Sequence, residues 1–163
     1  MPQRKLRNDD VMTAVIERNA ATVYRIAYLR TGNTHDAEDI MQEVFVRFIK
    51  SAPEFESTEH EKAWFIRVAV NRTNSFFTSA WRRRTVPLPE EDIPYWENNG
   101  IDVLDAVMRL PKDISTAIHL FYYENMAIKE ISDAMSKSES AVKSLLFRGR
   151  KLLRIELSEE QSE

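Results

Sequence analysis

The sequence predicts an all-α protein of two small helical domains joined by a flexible acidic linker, and three observations carry that prediction. Only 3 of the 163 residues are glycine, about 2% against a usual value near 7%, which starves the chain of tight hairpin turns. Apolar residues recur at i, i+3, i+4 and i+7 through most of the chain, the period of an amphipathic helix. Three of the six prolines, Pro87, Pro89 and Pro94, crowd into Val86–Gly100 beside four acidic residues and no basic one, so regular structure should stop there. The expected organisation is a domain over 1–85, a linker over 86–100, a second domain over 101–157 and an acidic tail over 158–163. At 43% apolar and 30% charged the composition is that of a folded chain rather than a disordered one.

The elements follow in order. Met12, Val15, Ile16, Val23, Ile26 and Ala27 keep helical spacing, opened by Asp9 or Asp10 and closed by Thr31 and Gly32. A second helix over Asp36–Lys50 repeats Ala37, Ile40, Met41, Val44, Phe45, Phe48 and Ile49, with Thr34 as N-cap and Pro53 beyond its end. A polar, acid-rich loop over Ser51–Glu61 leads to a long third helix, roughly Lys62 to Arg84, apolar on most sides and therefore central. Past the linker, Leu104, Val107 and Met108 give a short helix that ends at Leu110-Pro111. Ile114, Ala117, Ile118, Phe121 and Tyr122 give the next. A helix with Ile128, Ile131 and Met135 follows, then a turn at Ser136, Lys137 and Ser138, then a last helix whose inner stripe is Val142, Leu146, Gly149 and Leu153. Two helices across a three-residue turn, the second one basic, form the pattern of a helix-turn-helix.

Several function classes drop out. There is no cysteine, which excludes disulfides, cysteine zinc sites and thiol nucleophiles. The histidines at 35, 60 and 119 are scattered, and no Gly-x-Ser-x-Gly, His-Glu-x-x-His or P-loop pattern occurs. The cluster from His35 to Asp39 lacks converging ligands from other helices. We therefore expect no enzyme, no cofactor and no metal. No apolar run of about 18 residues and no signal-peptide pattern is present, so a cytoplasmic chain without membrane insertion is expected.

The net charge of −3 hides a strong asymmetry. Lys137–Arg154 holds six basic residues and one acidic, while Ile155–Glu163 holds four acidic and none basic. With its inner stripe packed, the last helix turns Ser140, Lys143, Ser144, Phe147, Arg148 and Lys151 outward. A major groove about 12 Å wide admits such a helix, its Ser, Lys and Arg reaching phosphates or guanine edges and Phe147 a thymine methyl. A solvated basic face with Phe147 folded onto a neighbour would show the same pattern. Ser138 can cap this helix, whose first amides can hold a phosphate.

On the third helix Arg67, Asn71, Asn74 and Thr78 form one polar stripe beside Trp64, Phe65, Phe76, Phe77 and Trp81, with Arg82, Arg83 and Arg84 beyond. Amides beside aromatics suit unstacked bases, and arginines suit phosphates; plain exposure to water is the other explanation. On the second helix, Asp36, Asp39, Gln42, Glu43 and Val46 present an acidic face with an exposed valine, a contact surface or simply acids favouring the helix dipole.

These residues carry a resemblance. Asp36-Ala37-Glu38-Asp39-Ile40-Met41-Gln42-Glu43-Val44-Phe45 resembles D-A-E-D-L-x-Q-E-x-F of region 2.2 in sigma-70 family RNA polymerase sigma factors of the compact extracytoplasmic-function (ECF) group. The segment from Ala63 to Asn71 resembles the W-L-x-R-I-A-x-N helix that follows it. Leu110-Pro111, Glu130-Ile131 and Ala141-Val142-Lys143-Ser144 resemble region 4. The resemblance implies that the second helix docks on the beta-prime clamp helices of core polymerase, that the polymerase contacts include the beta flap, and that Arg67, Asn71, Asn74 and Arg82–Arg84 serve the melted minus-10 element. It implies minus-35 reading by the last helix, a linker threading toward the active-site and RNA-exit channel, a monomer when free, and a cognate anti-sigma factor. Where the family usually has glycine in the turn this chain has Ser136, followed by Lys137 in place of an apolar residue. The usual Ser or Thr cap is Ala127, and a common Arg is Leu145. A helix-turn-helix regulator that never touches polymerase, or a sigma paralogue acting mainly through protein–protein contacts, are the competing readings.

Overall fold

A computed structural model describes the backbone of residues 2–83 and 101–161 and the side chains of residues 9–76 and 105–154. The chain divides into two compact units, Met1–Leu88 and Pro89–Glu163. Every regular element among the described residues is helical. The linker expected at 86–100 lies outside the described residues.

The N-terminal unit packs α1 (Pro2–Thr31), α2 (Thr34–Ser51) and α3 (Thr58–Arg83). Its core takes Val23, Ile26 and Ala27 from α1, Ile40, Val44 and Phe48 from α2, and Phe65, Ile66 and Ala69 from α3. Helix α1 ends where Gly32 adopts φ +69 and its N–H reaches Tyr28 O at 2.7 Å, a left-handed cap that glycine enters without a Cβ penalty. The start of α1 differs from expectation: the helix runs back past Asp9 and Asp10 to Pro2, a residue suited to a first helical turn because its missing N–H has no partner to lose there.

Two other helix starts are corrected. The N-cap of α2 is Asn33, extended at φ −144 and ψ 126, whose Oδ1 accepts from the Asp36 N–H at 3.0 Å, while Thr34 is already helical. Helix α3 begins at Thr58 instead of Lys62, because Ser57 caps it: Ser57 Oγ accepts from the His60 N–H at 3.0 Å, and Glu59 and Glu61 in the first turn complement the dipole. Between α2 and α3, Phe55 turns inward against Phe48, Trp64 and Phe65, with ring centroids 5.9–6.3 Å apart.

The C-terminal unit packs α4 (Ile101–Arg109), α5 (Lys112–Ile118), α6 (Ile128–Met135) and α7 (Glu139–Gln161). Helix α5 widens into a π turn over His119–Tyr123, closed by the Glu124 N–H on His119 O at 3.1 Å. That turn swings Tyr122 out of the apolar stripe expected to bury it, leaving it 54% exposed. Val142, Leu146 and Gly149 line the inner face of α7. A Cβ at Gly149 would stand 2.5 Å from Ile118 Cγ1 and 3.1 Å from Ile114 Cγ2, so the missing side chain is what lets α5 and α7 touch. Helix α7 continues to Gln161 and takes in most of the segment expected as a tail.

The departures at the helix-turn-helix now have physical content. Ser136 sits in the left-handed region at φ 55 and ψ 45, a conformation that costs a non-glycine residue about 1–2 kcal/mol. Local bonds offset it: the Lys137 N–H reaches Ser132 O at 3.0 Å and Ser132 Oγ donates to Lys137 O at 2.5 Å. The Lys137 ammonium lies 3.3 Å from Asp113 Oδ2, tying the turn to α5. Ala127 offers no cap, but half a capping box survives, since Glu130 Oε1 accepts from the Ala127 N–H at 3.2 Å. Ser138 caps α7, its Oγ accepting from the Ala141 N–H at 3.0 Å.

Candidate functional site

Three helical faces hold the residues singled out by sequence. On α2, Asp39, Gln42, Glu43 and Val46 are exposed. Asp36 is not: it is 5% exposed in the first turn of α2, against the turn from α1. It cannot belong to a contact surface as expected, and an acid at that position serves the helix N-terminus instead. Ile49 is corrected in the opposite sense. It was expected in the core but is 52% exposed, standing about 140° round the helix from Val44 at ~100° per residue. The outer strip is therefore Asp39, Gln42, Val46 and Ile49, two polar groups leading to two apolar ones. Helical angle arithmetic alone would have found Ile49. Glu43 borders this strip and also braces the unit, since its Oε2 accepts from Arg72 Nη2 on α3 at 2.7 Å and from Nε at 3.0 Å.

On α3, Arg67, Asn71 and Asn74 are all exposed, and Arg67 and Asn71 have no hydrogen bond or ion pair among the described residues. Asn74 is engaged: its Oδ1 accepts from Arg30 Nη2 of α1 at 2.5 Å. Of the aromatics expected as stacking partners, Phe65 is wholly buried and unavailable, whereas Trp64 is half-buried, edge-on to Phe65 at 5.0 Å and to Phe55 at 5.9 Å. The side chains of Thr78, Arg82 and Arg83 and all of Arg84 lie outside the described residues.

At the head of α3, Glu61 is 5% exposed and held by Arg18 Nε and Nη2, each at 2.6 Å, and by Asn19 Nδ2 at 2.7 Å. The hydrogen bonds from Arg18, then that from Asn19, outweigh burial and hold the Glu61 carboxyl below the ordinary range; the Arg18 guanidinium is correspondingly raised by the same pair. This network positions α3 against α1.

On α7, Ser140, Lys143, Ser144, Phe147, Arg148 and Lys151 all face outward, with Phe147 68% exposed. Phe147 therefore does not fold onto a neighbour. Lys143, Arg148 and Lys151 make no ion pair among the described residues, so their charge is available to a polyanion. Leu145 is half-buried at the edge of this face. Sequence reasoning missed Arg150, whose Nε donates to Tyr122 Oη at 2.5 Å and whose guanidinium lies 5.6 Å from the Phe121 and Tyr122 ring centroids. Its place seven residues after Lys143, on the same edge of the helix, was the available signal. No metal-binding cluster occurs among the described residues, and none of their helices is long and apolar enough to cross a membrane.

Comparison with known proteins gives these faces a common context. Residues 15–83 match the family model for Sigma-70 region 2, and residues 101–153 that for Sigma-70, region 4. The chain belongs to the sigma-70 family. Its similarity to the ECF RNA polymerase sigma factor SigE of Mycolicibacterium smegmatis is 30% identity over 91% of this chain and 62% of that protein. The RNA polymerase sigma factor SigV of Bacillus subtilis is 26% identical over 97% of this chain and 98% of its own length. The name of the first of these agrees with the ECF group that the α2 sequence resembles. The fold is shared with the sigma factor RpoE solved in complex with the anti-sigma factor NepR from Bartonella quintana, at a TM-score of 0.75 and 18% identity over 93% of this chain and 97% of that one. In family terms α1–α3 are region 2, and α4–α7 are region 4.

Proposed function

We propose that the chain is an ECF-type sigma factor that binds core RNA polymerase and directs promoter-specific initiation. The observation that carries this is one chain holding both a region 2 with an exposed acidic-to-apolar α2 strip and a region 4 whose last helix turns unpaired cations outward. Asp39, Gln42, Glu43, Val46 and Ile49 meet the beta-prime clamp helices, and region 4 meets the beta flap. Arg67, Asn71 and Asn74 face the minus-10 element, with Arg82–Arg84 toward its phosphates, and Ser140, Lys143, Ser144, Phe147, Arg148 and Lys151 enter the minus-35 major groove. No catalytic step belongs to the chain. It works by binding energy, capturing unstacked non-template bases whose extrusion costs only a few kcal/mol. The domains divide at 1–85 and 101–157 across the linker, and the protein works in the cytoplasm, a monomer when free and a partner of a cognate anti-sigma factor, as the RpoE neighbour is solved in complex with NepR.

Run-off transcription over a genomic fragment library, with purified bacterial core polymerase with and without the chain, tests this. New start sites sharing upstream elements near minus-35 and minus-10 are expected. Co-elution with core but no new starts would leave a regulator-binding paralogue, and failure to bind core would overturn the assignment.

A further inference from the structure

We propose that Arg150 and Tyr122 form a binding site for one phosphate of the DNA backbone, set beside the outward face of α7 and reading no base. The inference rests on α7 entering the minus-35 major groove and adds a contact to the groove wall. Arg150 is exposed, and its Nε donates to Tyr122 Oη at 2.5 Å. Its guanidinium lies 5.6 Å from the ring centroids of both Phe121 and Tyr122, two rings 4.9 Å apart and inclined at 75°. A cation seated in the corner of two rings and pinned through Nε has little side-chain freedom left to lose when a ligand arrives. The π turn over His119–Tyr123 supplies both rings and turns Tyr122 outward, 54% exposed.

The bond to Tyr122 uses only Nε, which leaves the donors of both Nη atoms uncommitted, and the Tyr122 hydroxyl proton is unused because its oxygen serves there as acceptor. Neither residue makes another hydrogen bond or ion pair among the described residues, so no carboxylate there neutralises the cation. A guanidinium fork matches two oxygens of a phosphate, and the phenol proton adds a third donor. Position selects the backbone over the bases. A helix lying in a major groove turns the middle of its outer face to the base edges and its flanks to the walls. Arg150 stands ~100° round the helix from Lys151, on the edge it shares with Lys143 about 10 Å away along the axis. Tyrosine and arginine also anchor protein interfaces; the unneutralised cation and the edge shared with Lys143 favour the polyanion.

The test uses the full chain assembled with core polymerase on a promoter duplex recovered by the run-off mapping, with single methylphosphonates, each removing one phosphate charge, placed in turn through and beside the minus-35 element. Arg150→Met should lower affinity roughly tenfold, the loss of a charge-assisted bond, and take about 0.9 from the logarithmic salt slope, with base preference unchanged at every minus-35 position. One methylphosphonate should weaken the parent by a similar factor and leave Arg150→Met unaffected. Tyr122→Phe, which keeps the ring and loses only the hydroxyl, should cost about threefold and lose part of its response at that same phosphate. A purely structural role would not produce coupling to one phosphate, and hydrogen exchange checks that region 4 stays folded. Should Arg150→Met unfold region 4, the response of Tyr122→Phe at that phosphate decides alone. If no methylphosphonate loses its effect in Arg150→Met, the site is overturned. If Arg150→Met instead weakens assembly with core while the salt slope on DNA keeps its parent value, the pair docks on polymerase and the proposal falls. If Lys143→Ala and Arg148→Ala also leave promoter affinity and base preference at parent values, α7 does not meet the minus-35 element and the underlying reading falls with it.

Discussion

In the N-terminal unit α1 and α3 are joined by two polar networks, Arg18 and Asn19 on Glu61 at one end and Arg30 on Thr73 and Asn74 at the other. In the C-terminal unit α7 lies in close apolar contact with α5, Gly149 against Ile114 and Ile118, and reaches the π turn through Arg150 on Tyr122. The difference extends to the binding faces. The α3 stripe shares Asn74 with the internal network, whereas the cations at Lys143, Arg148 and Lys151 on α7 make no ion pair or hydrogen bond among the described residues. If these faces bind promoter DNA as proposed, substitutions on the α3 stripe should therefore disturb both stability and recognition, and those on the outward face of α7 should disturb recognition alone.

Four measurements test that contrast, each on the full chain with hydrogen exchange reporting the two units separately. The largest effect is expected from Phe65→Ala, which empties the centre of the aromatic cluster formed with Phe48, Phe55 and Trp64. A loss of about 3–5 kcal/mol is typical for such a cavity, with protection lost in α1–α3 and kept in α4–α7. Loss of protection in both units would show them to be one cooperative body.

Gly149→Val should cost region 4 about 1–3 kcal/mol by overpacking, since its Cβ would meet Ile118 well inside contact distance. The minus-35 binding proposed for α7 should fall with it while the core binding proposed for α2 persists. A variant as stable as the parent would mean that α5 and α7 can separate freely.

Glu61→Gln probes the polar side of the comparison. The folded pKa of Glu61 is lowered, chiefly by the Arg18 hydrogen bonds, so its contribution is present above the ordinary carboxylate range and is lost as pH falls through the lowered value. Region 2 should lose stability in acid, and the variant should flatten that slope. The neutral-pH cost should be about 1 kcal/mol, because the Arg18 partner is 49% exposed. An unchanged acid slope would show that the pair does not brace α3.

The smallest effect on folding is expected from Arg148→Ala, within ~0.5 kcal/mol of the parent. Its promoter affinity should nevertheless lose about 0.9 from the logarithmic salt slope, one phosphate contact fewer. A stability loss comparable to that of Gly149→Val would remove the separation between fold and face in region 4.

Much of this arrangement was legible in the chain itself. The inner stripe of α7 at Val142, Leu146 and Gly149 follows from helical spacing, and so do its outward cations, because both depend only on positions within one helix. Local competition blurred the helix starts: Asn33 and Thr34 are both good caps, and the capping Ser57 lay inside a stretch polar enough to read as a loop. Asp36 and Ile49 were misplaced for a related reason. Residue type suggested acid outside and isoleucine inside, while the turn from α1 covers Asp36 and the angle of Ile49 round the helix turns it away from the core.

The sequence alone determined the helical class, the division around the proline-rich acidic segment, the sigma-70 resemblance and the outward basic face of α7, since composition and periodicity are local properties. Only the tertiary structure decided that Arg18 meets Glu61, that Arg30 meets Asn74 and that Gly149 admits Ile118. Those pairs lie on different helices and, for the two arginines, 43 and 44 residues apart. Which groups meet depends on how the helices are rotated against one another, and no single helix encodes that angle.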